Sequence, residues 1–293
     1  MKTILKIGII FIILGAISVT VFGLLAQPYL EEQMVYTDQI YDYEGDAFTR
    51  IDVSFYNNPV VIKPSADDQI HIDFKTDQYE EVTITEDNNI LSIVVTSDWW
   101  DYVKNPLHWF SFNNITVNRT VTIELPSVLY NITVRTSNGA ISLDDLTLQS
   151  AVLRTSNGRI NVRNASIPIL TMSSSNGKLY LNDVISTTIE LATSNGEIER
   201  IDVNANAIDA ETSNGPINGS GIISNDFRVS TSNGAIDVSI VGVFEDYKVK
   251  TRTSNGTVKI NGSTYGNDTY HTTKTPYIEA ITSNGNIRIQ FED

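Results

Sequence analysis

The chain has 293 residues, with 20 Lys and Arg against 35 Asp and Glu, a formal charge of −15 and no cysteine. That balance argues against a nucleic-acid partner, because neutralising phosphates takes a basic surface. Without cysteine there is no disulfide framework, thiolate metal site or Cys nucleophile.

In chain order, the first element is apolar. Residues 7–26, IGIIFIILGAISVTVFGLLA, carry no charge over 20 positions, enough at ~1.5 Å per residue to cross the ~30 Å hydrocarbon core as a helix. Lys2 and Lys6 precede it, while Glu31, Glu32 and Asp38 follow. The positive-inside rule then makes residues 1–6 a cytoplasmic tail and puts the remainder outside the cell membrane. The expectation is a single-pass signal-anchor. The competing reading, a signal peptide cleaved after Ala26, would put Leu24 where a small residue is wanted. Residues 27–45 mix acidic and aromatic residues without a period and are read as a stalk.

Residues 46–130 contain short alternating runs such as TRIDVSF, QIHIDF and TVTIELP, rich in Val, Ile and Thr, which predict irregular N-terminal β coils. The segment DWWDYVKNPLHWFSF at 98–112 breaks them and holds all three tryptophans. Trp99, Trp100, Tyr102, Trp109 and Phe110 are candidates for an exposed binding patch or for a cap over the sheet edges. Beyond the anchor no segment sustains a 3.6-residue apolar period, so the fold class is expected to be all-β.

Residues 131–293 are governed by a repeat: Thr-Ser-Asn-Gly occurs seven times and Ser-Ser-Asn-Gly once. The motif glycines are Gly139, Gly158, Gly177, Gly196, Gly215, Gly234, Gly256 and Gly285, separated by five intervals of 19 residues and then by 22 and 29. A period of this size marks a solenoid, whose units bury their apolar faces only by stacking. Around each motif, apolar residues recur at the same offsets. One column runs Ile132, Ala151, Leu170, Ile189, Ile208, Phe227, Val249 and Ile278; another runs Ile141, Ile160, Leu179, Ile198, Ile217, Ile236, Val258 and Ile287; a third runs Leu146, Ala165, Val184, Val203, Ile222 and Val241. Spacing by two within each run means strands with alternate side chains on one side. The expected architecture is a parallel β-solenoid (β-helix) of about 19-residue coils, preceded by one N-terminal transmembrane helix. Eight such coils at ~4.8 Å per step make a rod of roughly 34 Å. The longest interval places extra residues within STYGNDTYHTTKTPY at 263–277, expected as a loop bulging from one face.

Asn-Gly readily supplies positive φ, so each motif glycine is expected to turn a left-handed corner. On that basis Gly196→Val should destabilise the fold by ~1 to 2 kcal/mol or more. Continuing the strand alternation turns Asn138, Asn157, Asn176, Asn195, Asn214, Asn233, Asn255 and Asn284 towards the interior, where their amides could form a hydrogen-bonded asparagine ladder.

Other chemistry is sparse. His71, His108 and His271 lie far apart without metal-ligand spacing, and no catalytic residue, metal site or cofactor is read. The regularly spaced threonines could suggest ice binding, but the alternation points them inward. Asp144 with Asp145 would be the carboxylate pair of a polysaccharide hydrolase. Seven sequons, at Asn114, Asn118, Asn131, Asn164, Asn218, Asn261 and Asn267, could accept N-glycans.

The segment TVTIELP at 120–126, then YNITVRTSNGAISL at 130–143 and its successors, resembles the putative-adhesin family of prokaryotic envelope proteins with β-strand repeats, a domain of unknown function, over most of 46–293. The resemblance implies a β-helix with a role in adhesion or envelope stress sensing, and it brings no catalytic residues. The expected function is a membrane-anchored extracellular scaffold or adhesin without enzymatic activity. Its partners would be the membrane, through the N-terminal helix, and a surface protein, peptide or glycan. The alternative is an envelope-stress sensor or regulatory module binding a peptide or lipid through the aromatic segment. A polysaccharide hydrolase stands third.

Overall fold

The computed structural model describes residues 15, 17, 18, 20–22, 25, 36–97 and 118–292. Among them no helix is long and apolar enough to cross a membrane, and most of the anchor expected over 7–26 lies outside the described residues. So do Trp99, Trp100, Tyr102, His108, Trp109, Phe110 and Asn114.

Strands form wherever the alternating runs predict them. The first half of the chain gives β1 (Tyr36–Glu44), β2 (Arg50–Ser54), β3 (Val60–Pro64), β4 (Gln69–Asp77), β5 (Glu80–Asp87), β6 (Ile90–Ser97), β7 (Val121–Leu125), β8 (Asn131–Arg135), β9 (Ile141–Asp144), β10 (Ser150–Arg154), β11 (Ile160–Ser166) and β12 (Ile169–Ser174). The second half gives β13 (Leu179–Thr193), β14 (Ile198–Thr212), β15 (Ile217–Thr231), β16 (Ile236–Val241), β17 (Lys248–Arg252), β18 (Val258–Ile260), β19 (Ser263–Tyr265), β20 (Asp268–Tyr270), β21 (Tyr277–Thr282) and β22 (Ile287–Glu292). β1 occupies most of the second half of the stretch read as a stalk, and it is held there by a nine-residue antiparallel register with β4.

Two parallel ladders run the length of the molecule. On the first face the order is β6, β2, β8, β10, β12, the second halves of β13, β14 and β15, then β21 and β17. On the second face it is β7, β3, β9, β11, the first halves of β13, β14 and β15, then β16, β22 and β18. Each face therefore has ten rungs, and nine steps of ~4.8 Å make a stack of about 43 Å. The apolar columns stand in register as the period requires. Ala151 lies between Ile132 and Leu170, and the column is buried throughout. The third column departs in its last two members: Ile222 is 44% and Val241 42% exposed. A register shift between β14 and β15 sets Gly221, not Ile222, beside Val203, so the inward position passes to Ile223.

The rungs do not follow chain order at either end. β2 and β3 form the second rung; the chain then runs outward, lays down the terminal rung with β6 and β7, and returns to build the third with β8 and β9. At the far end β21 and β22 insert between the β15–β16 rung and the β17–β18 rung, although they come later in sequence. Antiparallel strands close the stack. β5 pairs with β6, β4 with β7 and β1 with β4 at the first end. At the other end β19 pairs with β18 and β20 with β17. The insertion expected to bulge from one face thus covers the end of the stack, where unpaired strand edges would otherwise be left open. The acidic edges EEVTITED of β5 and YTDQIYDYE of β1 serve the same end by charge.

The first end also carries a charge bridge. On the exposed side of β4, His71 Nδ1 lies 2.6 Å from Asp42 Oδ1 of β1, and Nε2 lies 2.9 Å from Asp67 Oδ1. These two carboxylates raise the His71 pKa above its ordinary 6.5. A raised folded pKa means the bridge stabilises fully below the unfolded value of about 6.5 and is lost as pH rises through the folded one. Asp67 shifts the other way, below 3.8, first through the bond from the Gln69 backbone N–H and then through His71, so its share is lost as pH falls. The expected result is a His71 ring titration, followed by NMR, with its midpoint above 6.5 in the native chain and near 6.5 once Asp42 and Asp67 are both Asn. A native midpoint at or below 6.5 would show that the bridge does not form in solution.

Candidate functional site

The threonine at the end of each first-face strand points inward: Thr136, Thr155, Thr193, Thr212, Thr231, Thr253 and Thr282 are all buried. Its hydroxyl joins two coils. Thr155 Oγ1 accepts from the N–H of Gly158 at 3.0 Å in its own coil and donates to the carbonyl of Gly139 at 3.0 Å in the coil before. Ser174 does the same in the Ser-Ser-Asn-Gly copy, accepting from Gly177 N at 2.8 Å and donating to Gly158 O at 3.3 Å. The next two backbone N–H groups, those of Ser156 and Asn157, both donate to Ser137 O of the preceding coil, at 3.0 and 2.9 Å.

Two expectations about the corner are corrected. The motif glycines do not have positive φ. They are required because each packs on its counterpart: a Cβ on Gly158 would sit 1.8 Å from Gly139 O, and one on Gly196 would sit 1.9 Å from Gly177 O. The left-handed corner comes six residues later, at Asp145 (φ 60°), Asn164 (φ 47°), Asp183 (φ 54°) and Asp202 (φ 53°). Asp and Asn accept that conformation more readily than other side chains. The sequence carries this signal as a 19-residue column of Asp and Asn, and reading positive φ into Asn-Gly overlooks it.

The motif asparagines, in turn, face outward and are exposed. A ladder does form, on the surface. Asn138 donates to Asn57, and each asparagine to the one before it, through 157, 176, 195, 214, 233, 284 and 255, with Nδ2 to Oδ1 distances of 2.6–2.8 Å. The order of the last two reflects the inserted rung. Asn57 and Asn58 take the motif's places in the second rung, where the buried Asn58 donates to Arg119 O at 3.0 Å. At the far end Asn267 closes the corner column: its Oδ1 accepts from Thr253 N at 2.8 Å and its Nδ2 donates to Thr253 O at 2.7 Å.

The other candidate residues lie apart from one another. Of the sequons, Asn131 Oδ1 accepts from Ser150 Oγ at 2.7 Å, Asn164 donates to Asp145 at 2.9 Å, Asn218 donates to Glu197 at 2.9 Å and Asn261 accepts from Phe291 N at 2.8 Å. Asn118 accepts from Thr120 N at 3.1 Å, and a glycan on Asn267 would be attached at the Nδ2 that donates to Thr253 O. His271 packs edge-on against Phe244 in the aromatic cluster of the far end, 4.7 Å between ring centres. Asp144 and Asp145 are separated in role: Asp144 accepts from Ser142 Oγ at 2.8 Å on the second face, while Asp145 makes the left-handed corner and accepts from Asn164.

Residues 48–290 match the family model described as Toastrack DUF4097. The chain belongs to the Toastrack DUF4097 family. The family is a domain of unknown function. No curated protein matches this toastrack chain. It is similar to a solved "putative adhesin" of Bacteroides fragilis, with 15% identity and a TM-score of 0.47, covering 87% of this chain and 97% of that one. Another of Parabacteroides distasonis shows 13% identity and a TM-score of 0.44 over 87% and 97% of the two chains.

Within this toastrack the outward faces carry a feature that sequence reading missed. An open depression of about 230 Å³ on the second face is lined by Arg159, Asn161, Arg163, Lys178, Tyr180 and Glu199. Lys178 is pinned by Glu197 at 3.0 Å and by Glu199. The Arg163 guanidinium stands 5.6 Å from the Tyr180 ring centre. In sequence these residues are spread over three coils, and only the stacking of β11, β13 and β14 gathers them.

Proposed function

We propose that this chain is a membrane-anchored, outward-facing and non-enzymatic scaffold or adhesin, held by residues 7–26. The observation that carries the reading is the uninterrupted stack of ten rungs, which presents flat columns of side chains over about 43 Å. Such a surface suits contact with an extended partner. The polar groups that repeat are absorbed by the architecture: the threonines tie corners, the asparagines form the ladder, and Asp145 of the one adjacent carboxylate pair considered for hydrolysis holds a backbone corner.

The reading is tested with the full chain in a bacterium, tagged at both ends. Protease added to intact cells should remove the C-terminal tag and spare the N-terminal one, and cells expressing the chain should attach to envelope-coated surfaces more than cells without it. A C-terminal tag cut only after lysis would overturn the orientation, and equal attachment would overturn the adhesive role.

A further inference from the structure

We propose that the depression around Arg159 and Arg163 binds a carboxylated polysaccharide; this rests on the outward-facing adhesive reading and names its ligand class. In a chain with 35 acidic and 20 basic residues, most cations have carboxylates to pair with, and among the described residues many do: Arg50, Lys63, Lys75, Arg228, Lys250 and Arg288 each carry one. Arg159 and Arg163 form no ion pair among the described residues. Neither do Arg135 and Arg154, which stand in direct register on β8 and β10, on the other flank of the asparagine ridge. Arg159 flanks Lys178 one rung on, since Ile160 N bonds Lys178 O at 3.0 Å. Like charges side by side across a ladder destabilise a sheet, so these pairs are not explained by folding.

The chemistry around the two guanidinium groups selects the ligand. A guanidinium offers a planar fork that fits a carboxylate with two parallel hydrogen bonds. Beside the forks lie the Asn161 amide, the Tyr180 phenol and the Glu199 carboxylate, donors and acceptors for hydroxyl groups. The lining has no aliphatic side chain, which disfavours a lipid surface, where apolar insertion supplies much of the binding. Glu197, Glu199 and Asp144 border the cations, which disfavours a polyphosphate of uniform high charge density. An acidic sugar chain laid along the stack would meet Arg159 and Arg163 with its carboxylates and the neighbouring polar groups with its hydroxyls.

The test uses the full chain and polygalacturonate as the probe, with dextran, polyphosphate and phosphatidylglycerol vesicles in parallel. Polygalacturonate should bind in preference to the other three. Arg159→Gln with Arg163→Gln should weaken it by about tenfold or more, as expected for losing charged hydrogen bonds. Both arginines are exposed, so unchanged thermal unfolding should accompany the loss. Arg252→Gln with Lys259→Gln, on the far rung, should leave binding unaltered. Binding of polygalacturonate no tighter than dextran, equal binding by the double variant, or tighter binding of polyphosphate or vesicles would overturn the proposal. A native chain that supports cell attachment but does not bind polygalacturonate sinks this inference alone, whereas a native chain that binds polygalacturonate but supports no attachment sinks the adhesive reading instead.

Discussion

Gly196→Ala is expected to destabilise the protein by about 3 kcal/mol or more, read as a large fall in the midpoint of thermal or denaturant unfolding. The added methyl would lie 1.9 Å from Gly177 O and 2.9 Å from Thr193 Oγ1. Neither can yield cheaply: Gly177 O accepts the Thr193 hydroxyl at 3.2 Å, and that hydroxyl also accepts from Gly196 N at 3.1 Å. Relief would require separating two rungs of a ladder whose backbone bonds continue on both sides of the corner. Gly196→Asn distinguishes this from the left-handed explanation. Asn tolerates positive φ, so a corner needing only that conformation would accept it nearly as well as glycine. Close approach of backbone to backbone makes Asn at least as harmful as Ala. An Asn variant of native stability would refute the steric account.

Arg200→Met is expected to act in the opposite direction, raising stability by about 1 to 3 kcal/mol, with a higher Tm as the readout. The Arg200 side chain lies inside the solenoid, 1% exposed. Nη1 donates to Ser220 O at 2.8 Å, and the guanidinium stands 4.5 Å from the Phe227 ring centre. Nε and Nη2 have no hydrogen-bond partner among the described residues. Burial pushes its pKa down to about 10, which still leaves it charged at neutral pH. A buried cation without a carboxylate costs desolvation that one hydrogen bond and one aromatic face offset only in part. Met matches the length of the aliphatic stem and adapts to irregular space. A loss of more than about 1 kcal/mol on substitution would mean that the guanidinium is satisfied in solution by a bound ion or water, and that its position is functional.

Much of this was legible in the chain itself. The 19-residue period and the alternation within it are enough to specify which residues share a column, because parallel stacking repeats one register and a strand repeats its facing every two residues. Ile132 over Ala151 over Leu170 follows from that arithmetic, as does the inward threonine. Arg200 was legible too, since it falls two residues after Ile198 in an inward column shared with Val162 and Leu181. What the corner does was not. Asn-Gly is compatible with a left-handed turn and with glycine-on-glycine packing alike, and only the distance between successive coils decides that a Cβ has no room.

The order of the rungs was also beyond the sequence. Every Ser-Asn-Gly copy has the same local preferences, so exchanging the coils of Asn255 and Asn284 changes no propensity and keeps the ladder complete. Which of them lies next to Asn233 depends on where the connecting strands can reach. The sequence by itself therefore determined the coil: its length, its inward columns and where its motif recurs. The tertiary structure decided the stacking order, the caps and the gathering of Arg159, Arg163 and Lys178 on one face, because those depend on contacts between coils that are interchangeable one by one.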